Sequence, residues 1–115
     1  MRVAAWQPRF THDVAEAVEQ VRDALRRADA DGVDLVCFPE CYVGGYFPHD
    51  RRATERVAYD LASPAFAALL QWIGAFDATL VVGIAERRGT DLFNTALVVT
   101  RVPEDREGFV THALP

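Results

Sequence analysis

The sequence predicts an α/β domain: a mostly parallel or mixed sheet with helices on one face. Short apolar runs at residues 3–6, 35–38, 79–85 and 95–100 read as strands. Two intervening stretches carry apolar residues at helical spacing. The strand runs are apolar at consecutive positions, as in Leu80, Val81 and Val82 or Leu97, Val98 and Val99, which is the pattern of strands covered on both faces.

In chain order, Val3, Ala4, Ala5 and Trp6 form the first strand. Asp13 then opens a helix as its N-cap, with Glu16 in the capping-box position and Val14, Val18, Val21, Leu25 and Ala28 along one side. That side packs on the sheet. Asp31, Gly32 and Asp34 make a turn into the strand at 35–38, and Pro39, which has no N–H for a ladder, ends it. This strand-helix-strand unit implies parallel strands and a right-handed crossover. After Gly44 and Gly45, residues 49–61 are polar and Arg-rich and predict a loop with a helical turn over the strand ends. Ser63 and Pro64 start a second helix, striped by Phe66, Leu69, Leu70 and Ile73 and stopped at Gly74. Residues 79–85 and 95–100 are strands, and the Gly-Thr-Asp signal at 89–91 closes them into a hairpin. Residues 103–108 predict a charged turn and 109–114 a further strand. Two helices cover one face of such a sheet, so the other face expects a layer from further chain or from a partner, a homo-oligomer through an exposed sheet or helix face included.

With 115 residues, half of them apolar, the chain fits one domain with a real core. The formal charge is -5 and the Arg pairs at 26–27, 51–52 and 87–88 lie among acidic residues, which argues against nucleic acid. All 12 basic residues are Arg, and Lys does not occur. No apolar run reaches the length of a membrane span, and the apolar start is too short for a secretory leader, so a cytoplasmic protein is expected. Cys37 and Cys41 flank Pro39, roughly 13 Å apart in extended chain, too far for a disulfide or a shared metal. His12, His49 and His112 show no ligand spacing, so no metal is expected. The turn after the first strand, Gln7-Pro8-Arg9-Phe10, lacks the glycines of a nucleotide-phosphate loop.

The chemistry concentrates at residues 34–47. Glu40 follows Pro39 at the carboxyl end of a strand, where open α/β sheets bind ligands, and a carboxylate held there against apolar neighbours suits proton transfer. Glu40 is the candidate general base, and Tyr46, after the glycine pair, is a candidate for the substrate pocket. Cys41 is a poor nucleophile for Glu40, since neighbours in extended backbone point to opposite faces. Cys37 reads as core, and Asn94 as a turn or ladder residue.

Val3-Ala4-Ala5-Trp6-Gln7-Pro8 before an amphipathic helix, Phe38-Pro39-Glu40 followed by Gly45-Tyr46, then Val82-Gly83 and Phe93-Asn94-Thr95-Ala96 resemble, in order and spacing, the N-terminal half of the nitrilase superfamily of carbon-nitrogen hydrolases. The resemblance covers nearly the whole chain and makes residues 1–115 a single partial domain. It implies half of a four-layer α-β-β-α sandwich, a Glu-Lys-Cys triad with Glu40 as general base, a small amide or nitrile substrate, and no cofactor. It also marks departures. The family's Lys segment aligns best with Phe109-Val110-Thr111-His112-Ala113-Leu114-Pro115, which puts Thr111, with no cation, at the lysine position. The nucleophilic Cys is expected beyond Pro115. The resemblance therefore implies part of a hydrolase that is inactive as this chain, with a non-catalytic subunit in assembly or regulation as the alternative.

Overall fold

The computed structural model describes the backbone of residues 1–102 and 105–114 and the side chains of residues 1–100. The element order is β1 (Val3–Ala5), α1 (Val14–Asp31), β2 (Leu35–Cys37), α2 (Arg51–Val57), α3 (Pro64–Ile73), β3 (Thr79–Arg88), β4 (Asp91–Val102) and β5 (Asp105–Leu114). The strands form one sheet in sequential order β1-β2-β3-β4-β5. β1, β2 and β3 are parallel, while β3-β4 and β4-β5 are antiparallel, so the sheet is mixed, as expected. The hairpin turns at Gly89, whose φ of 62° suits the predicted glycine turn.

Asp13 caps α1 by accepting from the Ala15 amide. The capping box does not close: Glu16 accepts instead from the Thr11 hydroxyl, and that hydroxyl in turn accepts from the Asp13 amide. Thr11 thus occupies the place Glu16 was expected to fill. At the far end Gly32, at φ 68°, donates its N–H to the Ala28 carbonyl. Ser63 caps α3 by accepting from the Phe66 amide, with Pro64 in the first turn. The 49–61 stretch contains more helix than a single turn, α2, capped by Asp50 accepting from the Ala53 amide.

The core lies between the sheet and helices α1 and α3. Val18, Val21, Leu25, Phe66, Leu69 and Ile73 from the helices meet Val36, Leu80, Val82, Ile84, Leu97 and Val99 from the strands. Burying such side chains contributes about 1.5–3 kcal/mol each. The helices are also tied by polar contacts. Arg22 Nη1 donates to the carbonyls of Trp72 (2.6 Å) and Ile73 (3.3 Å), supplying the cation that the last turn of α3 lacks. The Asp29 carboxylate accepts from the amides of Asp77 (3.0 Å) and Ala78 (2.9 Å), just before β3.

The opposite face of the sheet is only partly covered. Val3 and Cys37 are exposed, and Leu35, Val81, Ala96 and Val98 are half-buried, in the alternate positions of the same strands. The chain therefore forms two layers, one of helices and one sheet. Cys37 is corrected here from core to this open face, because the parity of β2 turns Val36, not Cys37, toward the helices. Residues 103 and 104, in the expected charged turn, lie outside the described residues, and β5 already begins at Asp105. No helix among the described residues is long and apolar enough to cross a membrane.

Candidate active site

The backbone beyond β2 explains how Glu40 is presented. Cys37 pairs with Val81 of β3, and the next bridge on that side joins Val43 to Ile84. β3 advances three residues between these bridges while its neighbour advances six, so residues 38–42 bulge outward. Hydrogen bonds stitch the bulge to β3: Phe38 N donates to the Val81 carbonyl (2.8 Å), Gly83 N to the Pro39 carbonyl (3.3 Å) and Val43 N to the Gly83 carbonyl (3.2 Å). A Cβ at Gly83 would stand 2.2 Å from the Cys41 nitrogen and 2.7 Å from Glu40 Cα, so only glycine lets this backbone lie against the strand. The chain then leaves the sheet, forms α2, and returns at Tyr59, which bridges Glu86.

Glu40 is exposed and lines a cleft of about 310 Å³ together with Cys41, Tyr46, Phe47, Leu92, Phe93 and Asn94, among others. The cleft wall is mainly aromatic and aliphatic, and Glu40 is the charged group in it. Tyr46, 49 % exposed, lies on the same cleft as Glu40. Glu40 and Asn94 also border a second hollow, of about 500 Å³, on the open sheet face beside Cys37, Val81 and Ala96. Glu40 thus stands where the cleft meets the uncovered layer.

Asn94 was read from sequence as a turn or ladder residue. It is a ladder residue, opposite Ala85 in β4, and its side chain does more: Nδ2 donates to Glu40 Oε1. Its Oδ1 accepts from the Cys41 thiol at 3.5 Å. Spacing could not reveal this link, because residues 40 and 94 meet only through the sheet register. The signal for Gly83 was present: a glycine inside a β-branched strand marks close backbone approach.

Cys41 is not in extended backbone, as assumed from sequence, but at φ 48°. Its thiol is turned to Asn94, and burial, with the Glu40 charge second, pushes its pKa up, which suits a neutral thiol and not a nucleophile. Both cysteines are free. Thr111 falls in β5 opposite Val99, and its side chain lies outside the described residues. His112 likewise lies outside them, and His12 packs against Phe10 and Phe47. Among the described residues no group of His, Cys, Asp or Glu is arranged to hold a metal ion.

Known proteins carry the same architecture. The chain is 31% identical over 99 residues to an aliphatic nitrilase of Rhodococcus rhodochrous, covering 76% of this chain and 27% of that protein. It is 26% identical over 102 residues to a bifunctional nitrilase/nitrile hydratase of Lupinus angustifolius, covering 75% of this chain and 29% of that one. It therefore spans under a third of the length of these relatives. Among solved structures, a Cys-to-Ser mutant of the Nesterenkonia AN1 amidase from the nitrilase superfamily superposes with a TM-score of 0.68, at 21% identity, over 98% of this chain and 42% of that one. A protein of the same superfamily from Xanthomonas campestris, solved with an arsenic adduct in its active site, gives 0.62 at 22% identity, over 90% of this chain and 36% of that one. These structures share the fold. Residues 2–105 match the carbon-nitrogen hydrolase family across the strands, helices and bulge described above, and the chain belongs to that family.

Proposed function

We propose that this chain supplies the general base and half of the scaffold for hydrolysing a non-peptide carbon-nitrogen bond in a small amide or nitrile. The observation that carries the reading is Glu40, lifted out of the sheet by the bulge over Gly83 and set on the rim of an apolar cleft. In the reaction the resemblance implies, Glu40 takes the proton of a cysteine thiol and the sulfur attacks the amide or nitrile carbon. From an amide, ammonia leaves with the proton that Glu40 returns and a thioester remains; from a nitrile, a first water adds to the thioimidate before ammonia leaves. In both cases a further water resolves the thioester to the acid and restores the thiol. Tyr46 lines the pocket on the substrate side. The cation that stabilises the developing charge is not supplied here, since the sequence has no Lys and Thr111 stands at the family position. Neither cysteine serves as the nucleophile: Cys41 is held as a buried thiol and Cys37 lies on the open sheet face. The chain is therefore inactive by itself and works with the Lys and Cys of another segment or polypeptide laid on that face.

The test is ammonia release from a panel of small amides and nitriles. The chain alone gives none. Supplied with a polypeptide carrying the Lys and Cys segments of a family member, it gives release that Glu40→Gln abolishes. Release indifferent to Glu40→Gln, or release by the unassisted chain, would overturn the proposal. A non-catalytic role in assembly or regulation is the second reading, favoured by Thr111 alone.

A further inference from the structure

Glu40 sits on a bulge, and an exposed carboxylate on such a segment samples several rotamers unless something holds it. Asn94, by contrast, lies inside the run of β4 that pairs with β3, opposite Ala85 of β3, so the ladder fixes its backbone on that side; pairing with β5 begins two residues on, at Ala96. Its amide can be oriented from chemistry. An ionised carboxylate only accepts hydrogen bonds, so Nδ2 must face Glu40, and Oδ1 is left for a donor. The Cys41 thiol is that donor. It stays protonated because burial disfavours the thiolate and the Glu40 charge adds to this. A thiolate there would repel Oδ1 and turn the amide over. The order thiol, amide, carboxylate is thus a self-consistent run of donors and acceptors.

We propose that Asn94 is the positioning residue of Glu40, and that Cys41 acts as the anchor that fixes which way the Asn94 amide points. With Oε1 held by Asn94, Oε2 remains to accept a proton from the cleft side. This deepens the reading of Glu40 as general base and rests on it. It also gives Cys41 a task that requires it to be unreactive.

The experiment is NMR of the ¹⁵N-labelled full chain, following exchange of the Asn94 side-chain NH₂ protons with solvent. It needs no turnover, so failure of the general-base reading in the ammonia assay and failure of this inference are separate results. In the wild-type chain the Asn94 protons exchange about tenfold more slowly than those of exposed Gln71, the protection expected of one charge-assisted hydrogen bond. Glu40→Ala, a change at an exposed site, abolishes the protection. Cys41→Ser keeps a donor and keeps the protection, whereas Cys41→Ala reduces it. Backbone amide shifts of β3 and β4 serve as the folding control in each variant. Asn94 exchange as fast as that of Gln71 in the wild-type chain, or protection unchanged by Glu40→Ala, overturns the positioning role. Protection equal in Cys41→Ala and Cys41→Ser overturns the anchor.

Discussion

Gly83→Ala offers a direct measure of how the site is built. The new methyl would lie 2.2 Å from the Cys41 nitrogen and 2.7 Å from the carbonyl carbon and Cα of Glu40, all backbone atoms that no rotamer change can move. Restoring ordinary contact requires the bulge to retreat by about 1 Å or more, and overpacking of this kind costs about 1–3 kcal/mol. The retreat also stretches the Gly83 to Pro39 and Val43 to Gly83 hydrogen bonds, worth about 1 kcal/mol each. Lower chain entropy in the unfolded state returns about 0.4–1 kcal/mol. The expected net loss is about 2–4 kcal/mol, large against a domain stability of about 5–15 kcal/mol. Gly89→Ala is the control. There the methyl meets nothing within 4 Å and only the left-handed φ is strained, which costs about 1–2 kcal/mol. Urea unfolding followed by tryptophan fluorescence compares the two midpoints. A Gly83→Ala loss no larger than that of Gly89→Ala would refute the packing argument.

Three further outcomes follow from features elsewhere in the fold. Tyr42 is 1 % exposed and its hydroxyl has no hydrogen-bond partner among the described residues, so Tyr42→Phe is expected to leave stability unchanged or raise it by about 1 kcal/mol; a loss of that size in thermal unfolding would contradict this. Glu86 is buried, and hydrogen bonds from Arg88 first and Thr95 next, against the opposing effect of burial, hold its carboxyl below the ordinary range. Its folded pKa is depressed, so its contribution is present above the ordinary carboxylate pKa and is lost as the pH falls through the folded value. Glu86→Gln should flatten the acid limb of the stability profile, and an unchanged acid limb would count against the Arg88 and Thr95 contacts. The open sheet face should make the free chain bind a hydrophobic dye or self-associate, as read by dye fluorescence and sedimentation velocity; a monodisperse, dye-silent monomer would rule that out.

The sequence made the layers legible because they depend on periodicity. The α1 stripe of Val18, Val21, Leu25 and Ala28, the Ser63-Pro64 start of α3 and the Gly89 turn all stand where spacing and turn chemistry put them. Glu40 was legible for a similar reason, as a carboxylate set just past a strand end. What spacing could not reach was the non-local geometry. Thr11 took the return contact expected of Glu16, its hydroxyl accepting from the Asp13 amide and donating to Glu16, a link that no capping-box spacing announces. Cys37 read as core because its neighbours are apolar, yet strand parity assigns it the outer face. Asn94 read as an ordinary ladder residue because its partners at 40 and 41 are brought near only by pairing through β3.

The Asp29 clamp has a consequence for alignment within the sheet. β2 and β3 share only three paired positions, a short run to resist sliding. By gripping the amides of Asp77 and Ala78, α1 fixes where β3 enters, and so decides which residue arrives beneath the bulge. A slip of one position would seat Val82 or Ile84 there, where even a methyl collides. The placement of Glu40 is thus set at the opposite end of the strand, by a helix that lines no part of the cleft.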